Sequence, residues 1–151
     1  MARGDVKWFN AGIDALGQKL FDMDTDVWAL GICNNAPVPT MNTADPRWGA
    51  GGTTNFASNQ VATGTGYTGP ITLGSPTWAI TANVPTFDAN DVVIAQDAST
   101  GFANGAYGII YNQSAANRAI GFLDLGGPIG NANGPITITW NAAGILTDVA
   151  I

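Results

Sequence analysis

From Val61 onward, the sequence divides into short segments of β-branched and aromatic residues separated by turn-forming residues. In the clearest segment, residues 136–140, apolar and polar residues alternate strictly, so that Ile136, Ile138 and Trp140 share one face. Further segments of this kind are residues 71–73, 77–81, 92–95, 107–111, 120–125 and 145–147. Turn signals recur about every 8–15 residues, which is typical of β-sandwiches and barrels. The spacing predicts an all-β, single-domain β-sandwich or jelly-roll-like barrel.

The acidic residues support this fold class, because every one of them is Asp and the chain has no Glu. Glu and Lys are good helix formers, whereas Asp, Asn, Thr and Gly favour turns or strands. Charged residues make up only 11% of the chain, against about 25% in typical soluble domains. A surface with so few charges indicates that part of it lies against protein, although neutral Asn and Thr side chains could also solvate a monomer.

One short helix is predicted near the N-terminus. Asn10 can cap it, and Ile13, Leu16 and Leu20 recur at helical spacing, while Gly12 and Gly17 weaken it. We expect residues 1–21 to form an N-terminal arm and a helix that packs on the core. Residues 22–151 then form the β-sandwich.

Two segments stand out as candidate contacts. Trp8 and Phe9 lie in an aromatic stretch that is either an arm or a first strand. Residues 34–60 form a long loop without periodicity, in which Arg47 and Trp48 are the residue types most enriched at interaction hot spots. The alternative is that Trp48 pins this loop onto its own core. Before the loop, residues 27–33 are apolar on both faces, which predicts a strand that is buried on both faces, or buried on one face and at a contact on the other.

Several function classes are disfavoured by what the sequence lacks. There is no His, and the single Cys33 lies in an apolar segment, so no Ser-His or Cys-His site, intrachain disulfide or cysteine-based zinc site is expected. The five basic residues are scattered in a chain of net charge −6, which argues against nucleic-acid binding. No apolar run approaches the roughly 20 residues that span a bilayer. The sequence start lacks the apolar stretch of a signal peptide, so we expect synthesis in the cytoplasm.

Two sets of aspartates are candidate sites. Asp22, Asp24 and Asp26 would place three carboxylates on one face of an extended segment, a pattern that suits Ca²⁺. Their alternative role is in a turn, and the residues that follow do not continue a calcium-binding loop. Asp88 and Asp91 could form the carboxylate pair of a hydrolase, but two Asp residues three apart are usually turn formers. We therefore predict no enzymatic activity, metal or cofactor.

Several segments, in this order along the chain, resemble a family of small virion proteins of tailed bacteriophages. The matching segments are residues 21–26, 64–69, 87–92, 106–111, 120–126 and 136–146. The resemblance implies a virion component, and a capsid decoration (cement) protein is the favoured kind. Such a protein would stabilise the capsid by binding across neighbouring major capsid subunits, and would associate with itself, with a trimer favoured.

The contacts predicted for that role are Trp8 and Phe9 as one anchor and Arg47 and Trp48 as a second. The expected location is the capsid surface of the virion. The alternative is a tail or fibre component, with host-surface glycans as its candidate ligand.

Overall fold

The computed structural model describes residues 5–147. Strands account for 37% of the described residues and helices for 8%, which confirms the all-β prediction. The helices are α1 (Asn10–Gly17) and a 3-10 helix (Phe56–Asn59). The strands are β1 (Val6–Trp8), β2 (Trp28–Cys33), β3 (Pro46–Arg47), β4 (Thr54–Asn55), β5 (Ile71–Thr72), β6 (Thr77–Thr81), β7 (Val84–Asp88), β8 (Val92–Ile94), β9 (Gly105–Asn112), β10 (Arg118–Ile129), β11 (Ile136–Ile138) and β12 (Leu146–Thr147).

The largest sheet has seven strands and curls into a half-barrel. Its order is β4-β3-β10-β9-β2-β5, and β1 also pairs with β10. All of its pairs are antiparallel except β3 with β4, so the sheet is mixed. Two small antiparallel sheets accompany it, β12-β7-β6 and β11-β8. The predicted N-terminal arm is thus partly a strand of the main sheet.

The main hydrophobic core lies on one face of the large sheet. It joins side chains of β2, β9 and β10 to side chains of the two small sheets, including Phe87, Ile94 and Ile138. At its centre the ring of Trp28 contacts Phe21 and Phe87, at centroid distances of 5.4 and 5.2 Å. Aromatic pairs at such distances stabilise a core beyond the area they bury. This arrangement holds the small sheets against the large one.

A second apolar cluster covers the opposite face of the large sheet. Trp48 and Phe56, from the segment predicted as a long loop, pack there with Phe9, Ile109 and Tyr111. The Trp48 and Tyr111 rings are stacked with centroids 5.6 Å apart. Residues 34–60 therefore form a packed covering with two short strands and a 3-10 helix. As a consequence every residue of β2 is buried, which agrees with the first of the two alternatives, although Val27, where the predicted segment begins, is 45% exposed.

The helix is present, but its predicted cap is wrong, and of its predicted apolar face only Leu16 packs against the core. Phe9 is the N-cap residue and no side chain caps the helix. Ile13 and Leu20 are 37% and 42% exposed, whereas Gly12 and Ala15 are buried. The reason is close backbone packing: a Cβ on Gly12 would lie 2.7 Å from the carbonyl oxygen of Ile120. Small residues face β10 because larger ones do not fit. Within residues 5–147, no helix has the length and apolar character needed to cross a bilayer.

Candidate interaction surface

Trp8 and Phe9, predicted as an anchor for a partner, are both buried within the chain. The Phe9 ring lies 4.9 Å from the Phe122 ring and 6.0 Å from the Phe56 ring. The Phe9 backbone N–H donates to the carbonyl oxygen of Ile120. These contacts attach the N-terminal segment to the second cluster. In this conformation neither side chain is available as a surface contact.

Arg47 and Trp48 are also buried. The Arg47 guanidinium donates to both carboxylate oxygens of Asp45, at 3.2 and 3.3 Å, and to the carbonyl oxygen of Ala116 at 3.4 Å. Trp48 lies directly over Gly31, where any side chain would overlap its ring. The alternative interpretation of Trp48, as a pin for its own loop, is the one that the structure supports. The loop closes over an apolar sheet face, and that is why its large side chains turn inward.

The aspartates of residues 22–26 serve a turn. Asp22 Oδ1 accepts from the backbone N–H groups of Asp24 and Thr25, both at 3.1 Å. Asp26 Oδ2 accepts from the N–H of Asp22 and, at 2.6 Å, from Asn112 Nδ2. Hydrogen bonding from Thr25 lowers the pKa of Asp22. No group of three or more potential metal ligands is assembled anywhere in residues 5–147.

The remaining reactive candidates have structural environments. Asp88 Oδ1 accepts from the N–H of Ala89, and Asp91 Oδ1 accepts from the N–H of Trp140 at 3.1 Å. Each carboxylate thus accepts a hydrogen bond from a backbone N–H. Cys33 is buried, and this burial raises the pKa of its thiol to about 12. Because the thiolate is the reactive form, a thiol with so high a pKa is a poor nucleophile at neutral pH.

A buried polar cluster around Asp97 escaped the sequence analysis. Asp97 is 3% exposed. Its carboxylate accepts hydrogen bonds from the N–H groups of Thr65, Gly66, Ser99 and Thr100 and from the hydroxyls of Ser99 and Thr100. Beside it, Asn131 accepts from the N–H of Phe102 and donates to the carbonyl oxygen of Ala95. The run Asp97-Ala98-Ser99-Thr100-Gly101 is a typical Asx-turn sequence and could have indicated the turn. Its role here is to tie three loops together.

Replacing Asp97 by Asn should make the free energy of unfolding depend less on pH in the acid range. Hydrogen bonds from Thr100 hold the pKa of the Asp97 carboxyl far below its ordinary 3.8. The unfolded chain therefore takes up a proton at higher pH than the folded chain does, and this contribution to stability is complete above 3.8 and lost as the pH falls further. Urea unfolding at about pH 6 and about pH 3 measures it. Asp97→Asn should be less stable at the higher pH and lose less on acidification; an unchanged loss would contradict the assignment.

One cleft of about 380 Å³ opens where the covering segment leaves the large sheet. Its polar lining includes Tyr107, Asn104 and the single carboxylate of Asp124, whose Oδ1 accepts from the N–H of Gly126. No basic residue lines it. Its ionisable side chains are thus one phenol and one carboxylate, on residues that face each other across β9 and β10.

The most exposed apolar feature is the hairpin of β6 and β7. Ile80, on β6, is 75% exposed, more than any other large hydrophobic residue in the described part of the chain. β6 pairs with β7 on one side, and among residues 5–147 no strand pairs with its outer edge. No charged residue occurs from Thr77 to Phe87. We call this outer edge of β6, with Ile80, the β6 edge.

Comparison with known proteins gave no match: no protein-family model, curated protein or solved structure resembles this chain significantly.

Proposed function

We propose that this protein is a structural, non-enzymatic component of a tailed-bacteriophage virion that decorates the capsid surface. It binds across neighbouring major capsid subunits and associates with copies of itself. The observation that carries a binding role is the β6 edge, an unprotected strand edge with an exposed isoleucine. The proposed location on a virion rests on the resemblance of the chain's segments to phage virion proteins, for which the comparisons give no match.

The β6 edge favours a protein partner for a physical reason. A free strand edge presents unpaired N–H and C=O groups that can template another strand, and natural proteins usually guard such edges with charges, proline or a covering segment. Next to Thr86, which pairs with β12, β7 carries Pro85, which has no N–H to donate. β6 has neither proline nor charge. An edge left open in this way suits addition of a strand from a partner.

The low charge of the chain supports the same role. Only 11% of its residues are charged, so a surface packed against other proteins would bury few ions, which are costly to desolvate. A decoration protein is present in many copies on a lattice, where modest contacts add up through multivalency. Trimers at symmetry axes would fit this arrangement.

The candidate reactive groups support binding over catalysis. Asp22, Asp26 and Asp91 accept hydrogen bonds that shape or connect local structure, and Cys33 is buried as a thiol. No histidine occurs in the sequence. These carboxylates and this thiol thus have structural partners or surroundings.

The position of the protein on particles tests the proposal. Cryo-EM of virions should show its density on the capsid lattice, and quantitative mass spectrometry should give on the order of hundreds of copies per particle. Ile80→Lys places a charge on the β6 edge and should reduce that occupancy by weakening association between copies, on which multivalent attachment depends. Met41→Lys, at another exposed apolar site, should not reduce it. Capsids without density for the protein, or a few tens of copies confined to the tail, would refute the decoration role.

A further inference from the structure

The side chains of β6 are nearly symmetric in chemical type about the central residue of the strand. It reads Thr77-Trp78-Ala79-Ile80-Thr81, with a large apolar residue on each side of a central alanine and a threonine at each end. If two such strands lie antiparallel around a two-fold axis at Ala79, Thr77 faces Thr81 and Trp78 faces Ile80 of the other copy. Every cross-strand pair is then threonine with threonine, apolar with apolar, or alanine with alanine. Pairs of these kinds stabilise antiparallel sheets, and no like charges meet.

The hairpin geometry allows the same register. Ala82 and Asn83 have φ angles of 50° and 66°, which define a two-residue turn of type I′ between the strands. In such a hairpin the pair next to the turn, Thr81 with Val84, exchanges both hydrogen bonds, and alternate pairs follow it. Trp78 and Ile80 lie between those pairs. Their N–H and C=O groups therefore point to the free edge.

These outward groups match a second copy in that register. Each strand offers two N–H donors and two C=O acceptors. Trp78 of each copy can exchange two backbone hydrogen bonds with Ile80 of the other copy, which gives four in total. Ile80 then gains an aromatic neighbour on the face where it is now 75% exposed. The paired sheets would continue as one six-stranded antiparallel sheet, β12-β7-β6 followed by the same strands of the second copy.

We propose that the partner of the β6 edge is the β6 edge of a second copy of this chain, joined by two-fold antiparallel pairing centred on Ala79. The inference rests on the proposed function for the biological role of the contact, and it names the partner that this surface takes. A two-fold contact gives dimers, so a trimer would need a second, different surface. The same free edge cannot bind a capsid subunit while it is paired in this way.

A cysteine at the two-fold position detects the contact directly. Residues facing each other in a non-hydrogen-bonded antiparallel pair have Cα atoms about 4.5 Å apart, within the range of a disulfide. Ala79→Cys should therefore form a covalent dimer under mild oxidation, whereas native Cys33 is fully buried and does not interfere. Val93→Cys is the matched control, because Val93 is 63% exposed on another strand, β8. Equal cross-linking of the two variants, or none in either, overturns the inference.

Charge reversal tests the symmetry. Ala79 is exposed, so Ala79→Lys and Ala79→Glu should leave the fold of the monomer intact, which circular dichroism can verify. In sedimentation equilibrium the natural chain should dimerise with a dissociation constant of about 10–1000 µM, as befits a small interface. Each variant alone should dimerise at least about tenfold more weakly, because like charges face each other, and an equimolar mixture should recover or exceed the original affinity. A mixture that does not recover, or a natural chain still monomeric at about 1 mM, overturns the pairing.

The two proposals fail separately. Particles that carry the protein on the capsid as unpaired monomers refute the β6 dimer and leave the decoration role standing. Dimers in solution of a chain that is absent from capsids do the reverse.

Discussion

Replacing Trp48 by alanine should lower the free energy of unfolding by about 3–5 kcal/mol, the usual cost of truncating a buried aromatic side chain. Trp48 fills the space above Gly31 and stacks on Tyr111. Its removal would leave a cavity between the large sheet and the covering segment, because backbone on both sides is held by other contacts. Chemical denaturation followed by circular dichroism measures the change.

The matched control is Val38→Ala, which truncates an exposed apolar residue of the same segment. It should change stability by no more than about 0.5 kcal/mol. The pair distinguishes the two interpretations of Trp48 that the sequence left open. If Trp48→Ala lost little stability but abolished attachment to capsids, Trp48 would be a partner contact and the burial described here would not represent the free protein.

Replacing Gly12 by alanine should destabilise the fold by about 1–3 kcal/mol or more, although alanine is the better helix former. A Cβ at this position would lie 2.7 and 2.8 Å from the carbonyl oxygen and Cα of Ile120. Both are backbone atoms of β10, so the helix would have to move away from the sheet. Loss of helix packing should appear as a lower thermal midpoint and as faster hydrogen exchange in α1.

Gly17→Ala is the control in the same helix. A Cβ there meets nothing within 4 Å, so the substitution should be neutral or stabilise by up to about 1 kcal/mol through helix propensity and chain entropy. The two variants make the same chemical change in opposite surroundings. Equal effects would show that packing against Ile120 does not position the helix.

The helix shows why its existence was predictable while its orientation was not. Helical spacing and the lack of competing strand signals in residues 10–17 are local properties, and a helix is found there. The buried face was decided by how closely the helix backbone approaches β10. Gly12 looked like a weakness of the helix, yet it is what allows that approach. No pattern within the helix specifies the distance to a strand more than 100 residues away.

The buried carboxylate of Asp97 also shows how far the sequence alone could predict the structure. Its turn could have been identified from the run of Ser, Thr and Gly that follows it. The hydrogen bonds from Thr65 and Gly66 could not, because those residues are brought to Asp97 only when the loops meet. The convergence of many hydrogen-bond donors on one carboxylate depends on the tertiary structure, and so does the lowered pKa of Asp97 that results.

The sequence by itself determined that this protein is built mainly of strands, and that it has no histidine and a single cysteine. Both follow from local facts, since alternation and turn residues set the strands and composition sets the available groups. Only the tertiary structure decided which apolar residues lie on the surface. Phe9 and Trp48 became core because they fill the space between the covering segment and the large sheet, and Trp8 belongs to the main core. Ile80 became surface because β6 is the last strand of a small sheet. A strand's own residues are the same at a centre or at an edge, and only the neighbours that fold against it distinguish the two.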